Sequence, residues 1–203
     1  AQRSRLTRLE ILISIGLGEL FAELADFNLA EQNFHYASEV LQGTQDRFLS
    51  YSLAAARINL ALLRRDAESA RLILGDTQTV VKNNSSAYES GILGLLQARL
   101  SLLAADPRKA LREIKKAEAY FLEDGRELEM AAAQVWHTAA CYQLGDHAGA
   151  AQILQDLLGS KSRIPHVVLA ATHHAHAWLE GLQTLPEVSR LVRELFTKAD
   201  RLA

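Results

Sequence analysis

One cysteine, Cys141, and three prolines are all that this 203-residue chain contains of the two residue types that constrain a backbone most. A lone thiol excludes an internal disulfide framework and fits a reducing compartment. Aromatic residues make up only 6% of the chain, and alternating β-branched runs bounded by turn residues, the mark of strands, are absent. No apolar run is long enough to span a bilayer, and there is no charged-then-apolar leader with a cleavage site. The 22 basic residues form no block, and a net charge of -2 leaves no electrostatic footprint for nucleic acid. There is no nucleophile elbow, no glycine-rich phosphate loop and no acid pair at a cleft position. Glu118, Glu123, Asp124, Glu127 and Glu129 span a turn and read as a solvated cluster. These absences predict a cytoplasmic, non-enzymatic protein with no cofactor and no resident metal, not bound to a membrane and making no direct contact with nucleic acid. The chain begins at Ala1 with helix-like sequence almost to both ends, and is expected to be a piece of something longer.

What is present is a repeat. Asp26-Phe27-Asn28-Leu29-Ala30, Asp66-Ala67-Glu68-Ser69-Ala70, Asp106-Pro107-Arg108-Lys109-Ala110 and Asp146-His147-Ala148-Gly149-Ala150 recur at an offset of about 40 residues, the signature of a solenoid of stacked supersecondary units. Each Asp is suited to capping a helix start, and Pro107 stands where a first helical residue needs no donor. Four residues on comes Ala30, Ala70, Ala110 or Ala150. Four further come Phe34, Leu74, Ile114 and Leu154 on the same face, so a second helix can approach closely. The preceding segments, Ile11 to Leu24, Leu53 to Leu63, Ile92 to Leu103 and Ala131 to Leu144, are apolar at helical spacing and supply that partner.

Boundaries between hairpins fall at Gly43-Thr44-Gln45-Asp46, Asn83-Asn84-Ser85-Ser86, Glu123-Asp124-Gly125 and Gly159 to Pro165, all turn-forming compositions. Ser86 with Glu89 forms a capping box, and Gly43, Gly125 and Gly159 stand at expected stops. The pattern predicts an all-α fold of ten helices, at roughly 3–24, 27–41, 47–64, 67–82, 86–104, 107–123, 126–144, 147–158, 166–183 and 186–201. These make about five antiparallel pairs in a single domain, with repeats at approximately 6–43, 46–83, 86–124, 126–159 and 165–203. In the last pair Pro186 and Arg190 replace the Asp and Ala, while Thr184-Leu185-Pro186-Glu187 reads as a helix start; an atypical final repeat fits a capping unit.

Leu17-Gly18-Glu19-Leu20-Phe21, Asp26-Phe27, Ala30, Phe34 and Ala37 resemble the tetratricopeptide repeat, with small and aromatic residues in the first helix and small–large–small down the second. Later copies carry Ile58, Ala98 and Thr138 for Gly18, and Ala61, Ser101 and Cys141 for Phe21, and they exceed the usual period of about 34. The phrasing from Ala119-Tyr120-Phe121-Leu122-Glu123-Asp124-Gly125 to Ala131, then Tyr142-Gln143-Leu144-Gly145-Asp146, resembles the long-repeat C-terminal arrays of maltose-regulator-like and antibiotic-regulator-type bacterial transcriptional activators. The resemblance implies a right-handed superhelix acting as a sensor or assembly domain, which binds an inducer or a protein partner and biases a switch elsewhere in a parent chain.

By the repeat phase, the groove of such a domain is lined by Ile15 and Glu19, Ala55 and Asn59, Leu95 and Arg99, Val135, Trp136 and Ala139, then Ala175, His176 and Leu179. That mix suits a pocket that buries a ligand and orients it with sparse polar groups. Asn59, Arg99 and Trp136 are the expected contact residues, with Tyr142 and His176 behind them; packing between neighbouring hairpins is the competing role for the same stripe. The co-chaperone members of the superfamily hold a peptide carboxylate with lysine, asparagine and arginine. Ile15, Glu19, Ala56, Ile92 and Leu96 stand at the matching places here, so that clamp is missing. His173, His174 and His176 within one turn, and His137 with Cys141 at a four-residue spacing that puts two soft ligands on one face, raise zinc ligation, but a site needs third and fourth ligands from other hairpins and no stronger motif spacing is present. The alternatives to a regulator domain are a generic scaffold for a helical or extended peptide, favoured by Leu95, Leu96, Leu102 and Leu103, and a self-association module giving a homo-oligomer.

Overall fold

The computed structural model describes residues 2–81, 85–159, 164–186 and 188–200. Among them the fold is all-α: α1 (Gln2–Glu23), α2 (Phe27–Leu41), α3 (Arg47–Leu63), α4 (Ala67–Val81), α5 (Ala87–Leu103), α6 (Pro107–Glu123), α7 (Glu127–Gln143), α8 (His147–Gly159), α9 (His166–Leu179), a 3-10 turn (Glu180–Thr184) and α10 (Ser189–Ala199). The chain divides into two compact units, Ala1–Asn84 and Ser85–Ala203. In the first, α1 packs on α2 and α3, and α3 on α4; in the second, α5 packs on α6, α7 on α6, α8 and α9, and α9 on α10.

The turns inside hairpins are one device used four times. Asp26, Asp66, Asp106 and Asp146 each donate their backbone N–H to a carbonyl five residues back, on Phe21, Ala61, Ser101 and Cys141, at 2.8–3.0 Å. This is the 6→1 bond of a Schellman stop. The same aspartates accept, through Oδ1, the N–H of Leu29, Ser69, Lys109 and Gly149. One residue therefore closes one helix and opens the next. The residue before it must adopt a left-handed conformation, and Ala25, Arg65, Ala105 and Gly145 do so with φ of 57°, 58°, 55° and 80°. In the second unit the joint between hairpins copies this turn. Gly125 has φ of 65°, and Arg126 N–H bonds the Phe121 carbonyl at 2.8 Å, without a side-chain cap.

Close approach within a pair depends on the small residues. Ala30, Ala70, Ala110 and Ala150 are all fully buried. Gly18 and Gly91 lie against the rings of Phe34 and Phe121, so near that a methyl group at either position would stand 2.3 or 2.5 Å from a ring carbon. The capping box of α5 forms, with Glu89 N–H to Ser86 Oγ at 3.1 Å and Ser86 N–H to Glu89 Oε2 at 2.9 Å.

The last pair departs from the sequence expectation. The helix predicted over 166–183 ends at Leu179 and tightens into the 3-10 turn, and the helix predicted from 186 is continuous only from Ser189. Val188 and Ser189 N–H both bond the Leu185 carbonyl, at 3.2 and 2.8 Å, so Leu185 does begin the turn. Glu187, Asn83, Asn84 and the segment 160–163 lie outside the described residues.

Candidate binding face

Three first helices of the second unit carry a connected set of π and cationic groups. Arg99 on α5 places its guanidinium carbon 5.0 Å from the ring centroid of Trp136 on α7. Trp136 in turn meets Trp178 of α9 edge to face, with centroids 5.9 Å apart and planes at 62°. The spacing suits both a cation–π contact and the edge-to-face preference set by the ring quadrupole. Gln143 of α7 donates Nε2–H to the Trp178 carbonyl at 3.4 Å, tying the end of α9 to the end of α7.

The scaffold beneath is small-residue packing. Ala98 and Leu102 of α5, Ala131, Val135, Ala139 and Ala140 of α7 and Val168, Ala171 and Ala175 of α9 are buried in one core. Thr172 is buried among them and donates its hydroxyl to the Val168 carbonyl at 2.7 Å. Trp136 is only 3% exposed and offers a ligand almost no surface. It is the platform, and Arg99 and Trp178 are half-buried beside it, with the Arg99 Nε shielded from solvent.

Of the five residues expected to make contact, Arg99 and Trp136 come together. Tyr142 is at the end of α7, stacked on His147 with centroids 4.8 Å apart. Its hydroxyl lies under Gly181, where an added methyl would approach to 2.0 Å. His176 stacks on Phe196 of α10 at 4.2 Å, within the packing of the last helix pair. Asn59 is half-buried on α3 between the buried Ile58 and Leu60, in the other unit. Trp178 was missed by the repeat phase, which picks out Ala175, His176 and Leu179 on that helix. It stands two positions beyond the place that a 40-residue step from Trp136 reaches. Its signal was composition: Trp136 and Trp178 are the two tryptophans of the chain.

Two other features are polar. In the first unit a cavity of about 450 Å³ opens between α2, α3 and α4, lined by His35, Arg57 and Asp66 among others, and none of the five expected residues borders it. In the second, His137 Nδ1 lies 2.9 Å from Glu118 Oε1, and both side chains are more than four-fifths covered. Burial by itself would lower the His137 pKa. Hydrogen bonds to Cys141 and Glu118 and the Glu118 charge outweigh it, and the imidazole is pushed up to about 9. Among the described residues no three His, Cys, Asp or Glu side chains converge in a way that could hold a metal ion, and no helix is long and apolar enough to cross a membrane.

Comparison with known proteins returns no match, whether to a family model, a curated protein or a solved structure.

Proposed function

We propose that this chain is a non-catalytic helical-repeat binding domain, of the sensor and assembly kind found in the bacterial transcriptional activators that its repeat phrasing resembles. In this reading a protein segment or an inducer engages the face shared by α5, α7 and α9. The observation that carries it is the array of Arg99, Trp136 and Trp178 across three helices. A guanidinium lying over one indole, with a second indole beside it, combines an anion-binding group with flat apolar surface, the pairing that dominates binding hot spots. The occupant that fits is a partner carrying a carboxylate or another anionic group next to an aromatic or aliphatic one. Repeated hairpins support the reading, because such arrays act through the surfaces they present.

Both tryptophans of the chain belong to the array, so intrinsic emission reports on this face. A panel of acidic-aromatic peptides and aromatic carboxylates titrated into the protein should include members that shift the emission saturably. Arg99→Ala and Trp178→Ala should weaken those members at least tenfold. Binding that leaves the emission unmoved, or affinities unaltered in both variants, removes the proposal. Sequence flanking this segment in its reading frame bears on the regulator assignment separately: a DNA-binding module or nucleotide-switch domain there supports it, and an unrelated context counts against it.

A further inference from the structure

The first helix carries an apolar ridge that nothing in the described structure covers. Leu6, Leu9, Ile13, Leu17, Leu20 and Leu24 are 41–63% exposed. At 100° per residue they fall within about 80° of arc, along a line about 27 Å long. A run of that kind marks an interaction surface more surely than scattered leucines do. At the six equivalent repeat positions the following first helix of the same unit has Leu49, Leu53 and Leu60, buried in the core that α1 and α2 complete, and Asp46, Arg57 and Arg64, which are not buried. The fully apolar ridge is therefore particular to α1.

Two features of α1 indicate what covers it. Gly16 sits beside the ridge at mid-helix, exposed, and a methyl group there would meet nothing within 4 Å. The chain's own packing gives no reason for a residue that costs about 1 kcal/mol in a helix interior. Gly18, two residues on, is by contrast required by Phe34. A glycine on an exposed apolar face permits a second backbone to come close. The second feature is charge. Arg5 flanks the ridge near its start, Glu19 and Glu23 near its end, and all three are exposed. Glu19 keeps solvent contact yet is crowded by protein, and that desolvation first, then the Glu23 charge, raises its carboxyl pKa; a cation facing this pair would relieve the repulsion. Arg8 lies 2.9 Å from Asp46 and over the Phe48 ring, and Glu23 also interacts within its own chain, so the pairing adds to contacts that each copy already makes.

Turning a copy of α1 end for end satisfies both features. Leu6 then faces Leu24, Leu9 faces Leu20, Ile13 faces Gly16 and Leu17, and Arg5 falls beside Glu23 on the same flank, twice over by symmetry. Pairing α1 with α10 does not achieve this, since the exposed side chains of α10 include Arg190, Arg193, Glu194, Thr197 and Lys198, and the leucines would be laid against charge. We propose that the chain forms a two-fold symmetric dimer through antiparallel pairing of α1 with α1 of a second copy, centred at the level of Ser14 and Ile15, with Arg5 of each copy on Glu23 of the other. An isologous contact of this kind closes at two.

The test is sedimentation equilibrium of the 203-residue chain from about 1 μM to about 1 mM, the range for an interface below standard size. Wild type should show a reversible monomer–dimer equilibrium. Ile13→Glu with Leu17→Glu should remain monomeric throughout, with unchanged helicity because both positions are exposed. Arg5→Glu and Glu23→Arg should each weaken the dimer at least tenfold, and the two together should restore it to within about threefold. Arg5 and Glu23 are too far apart along one helix to rescue each other within a copy. A wild-type monomer at every concentration overturns the proposal and leaves the ridge to another partner, such as a further hairpin. A dimer indifferent to the Ile13 and Leu17 changes, or a charge swap that fails to restore it, overturns it as well.

Discussion

His137 Nδ1 and Glu118 Oε1 meet at 2.9 Å between α7 and α6. The contact ties the second helix of one hairpin to the first helix of the next, at a site where both side chains are largely shielded from water. It is an ion pair only while the imidazole holds its second proton, and the raised His137 pKa of about 9 means that it does so at neutral pH.

The pH dependence follows from that sign. A histidine whose folded pKa lies above its unfolded value of about 6.5 stabilises the fold fully below pH 6.5, and the contribution disappears as pH rises through about 9. The magnitude is roughly 3 kcal/mol at full strength. Stability should therefore decline between about pH 6.5 and 9 in wild type, and less in Glu118→Gln, which keeps the Cys141 hydrogen bond but loses the carboxylate. An NMR titration placing the His137 midpoint below 7 would contradict this.

The left-handed turn residues give a second expectation. Ala105 holds φ of 55°, a conformation that costs an L-residue about 1–2 kcal/mol, so Ala105→Gly should raise stability by roughly 0.5–1 kcal/mol. Gly145, with φ of 80°, occupies the equivalent place, and Gly145→Ala should lower stability by about 1 kcal/mol. Urea unfolding of both variants checks the opposite signs, and shifts in the same direction would refute the account.

Helical glycines divide by what stands over them. A methyl at Gly91 would come within 2.5 Å of Phe121 Cε1, whereas at Gly75 it would meet nothing within 4 Å. Gly91→Ala should cost about 1–3 kcal/mol through overpacking, and Gly75→Ala should gain up to about 1 kcal/mol from helix propensity. Thermal melts that move together for the two substitutions would show that the packing between α5 and α6 does not set the choice of glycine.

Caps supply a fourth prediction. Asp106 accepts the Lys109 N–H at 2.9 Å while its own N–H closes α5 on the Ser101 carbonyl. Asp106→Ala keeps the backbone bond and loses the side-chain one, at a cost of about 1 kcal/mol, and Asp106→Asn should recover most of it. Equal stability of the alanine and asparagine variants in denaturant titration would show that the side-chain cap contributes nothing.

The chain itself determined the local architecture: where Asp26, Asp66, Asp106 and Asp146 open helices, that Ala30, Ala70, Ala110 and Ala150 lie at helix contacts, and that Ser86 and Glu89 form a capping box. Caps, stops and apolar spacing act within a few residues of one another, so the one-dimensional record holds them. The neighbours across helices were decided by tertiary structure. A shift of one residue turns a side chain by about 100° around its axis, so a repeat phase that selects Arg99 on α5 and Trp136 on α7 passes over Trp178 on α9, where the array ends. His176 fell on the predicted stripe and Tyr142 was expected behind the contact residues, yet His176 stacks on Phe196 in the last helix pair and Tyr142 on His147 at the turn into α8. Periodicity fixes which side of a helix is apolar, but only the packed arrangement selects which ring meets which cation.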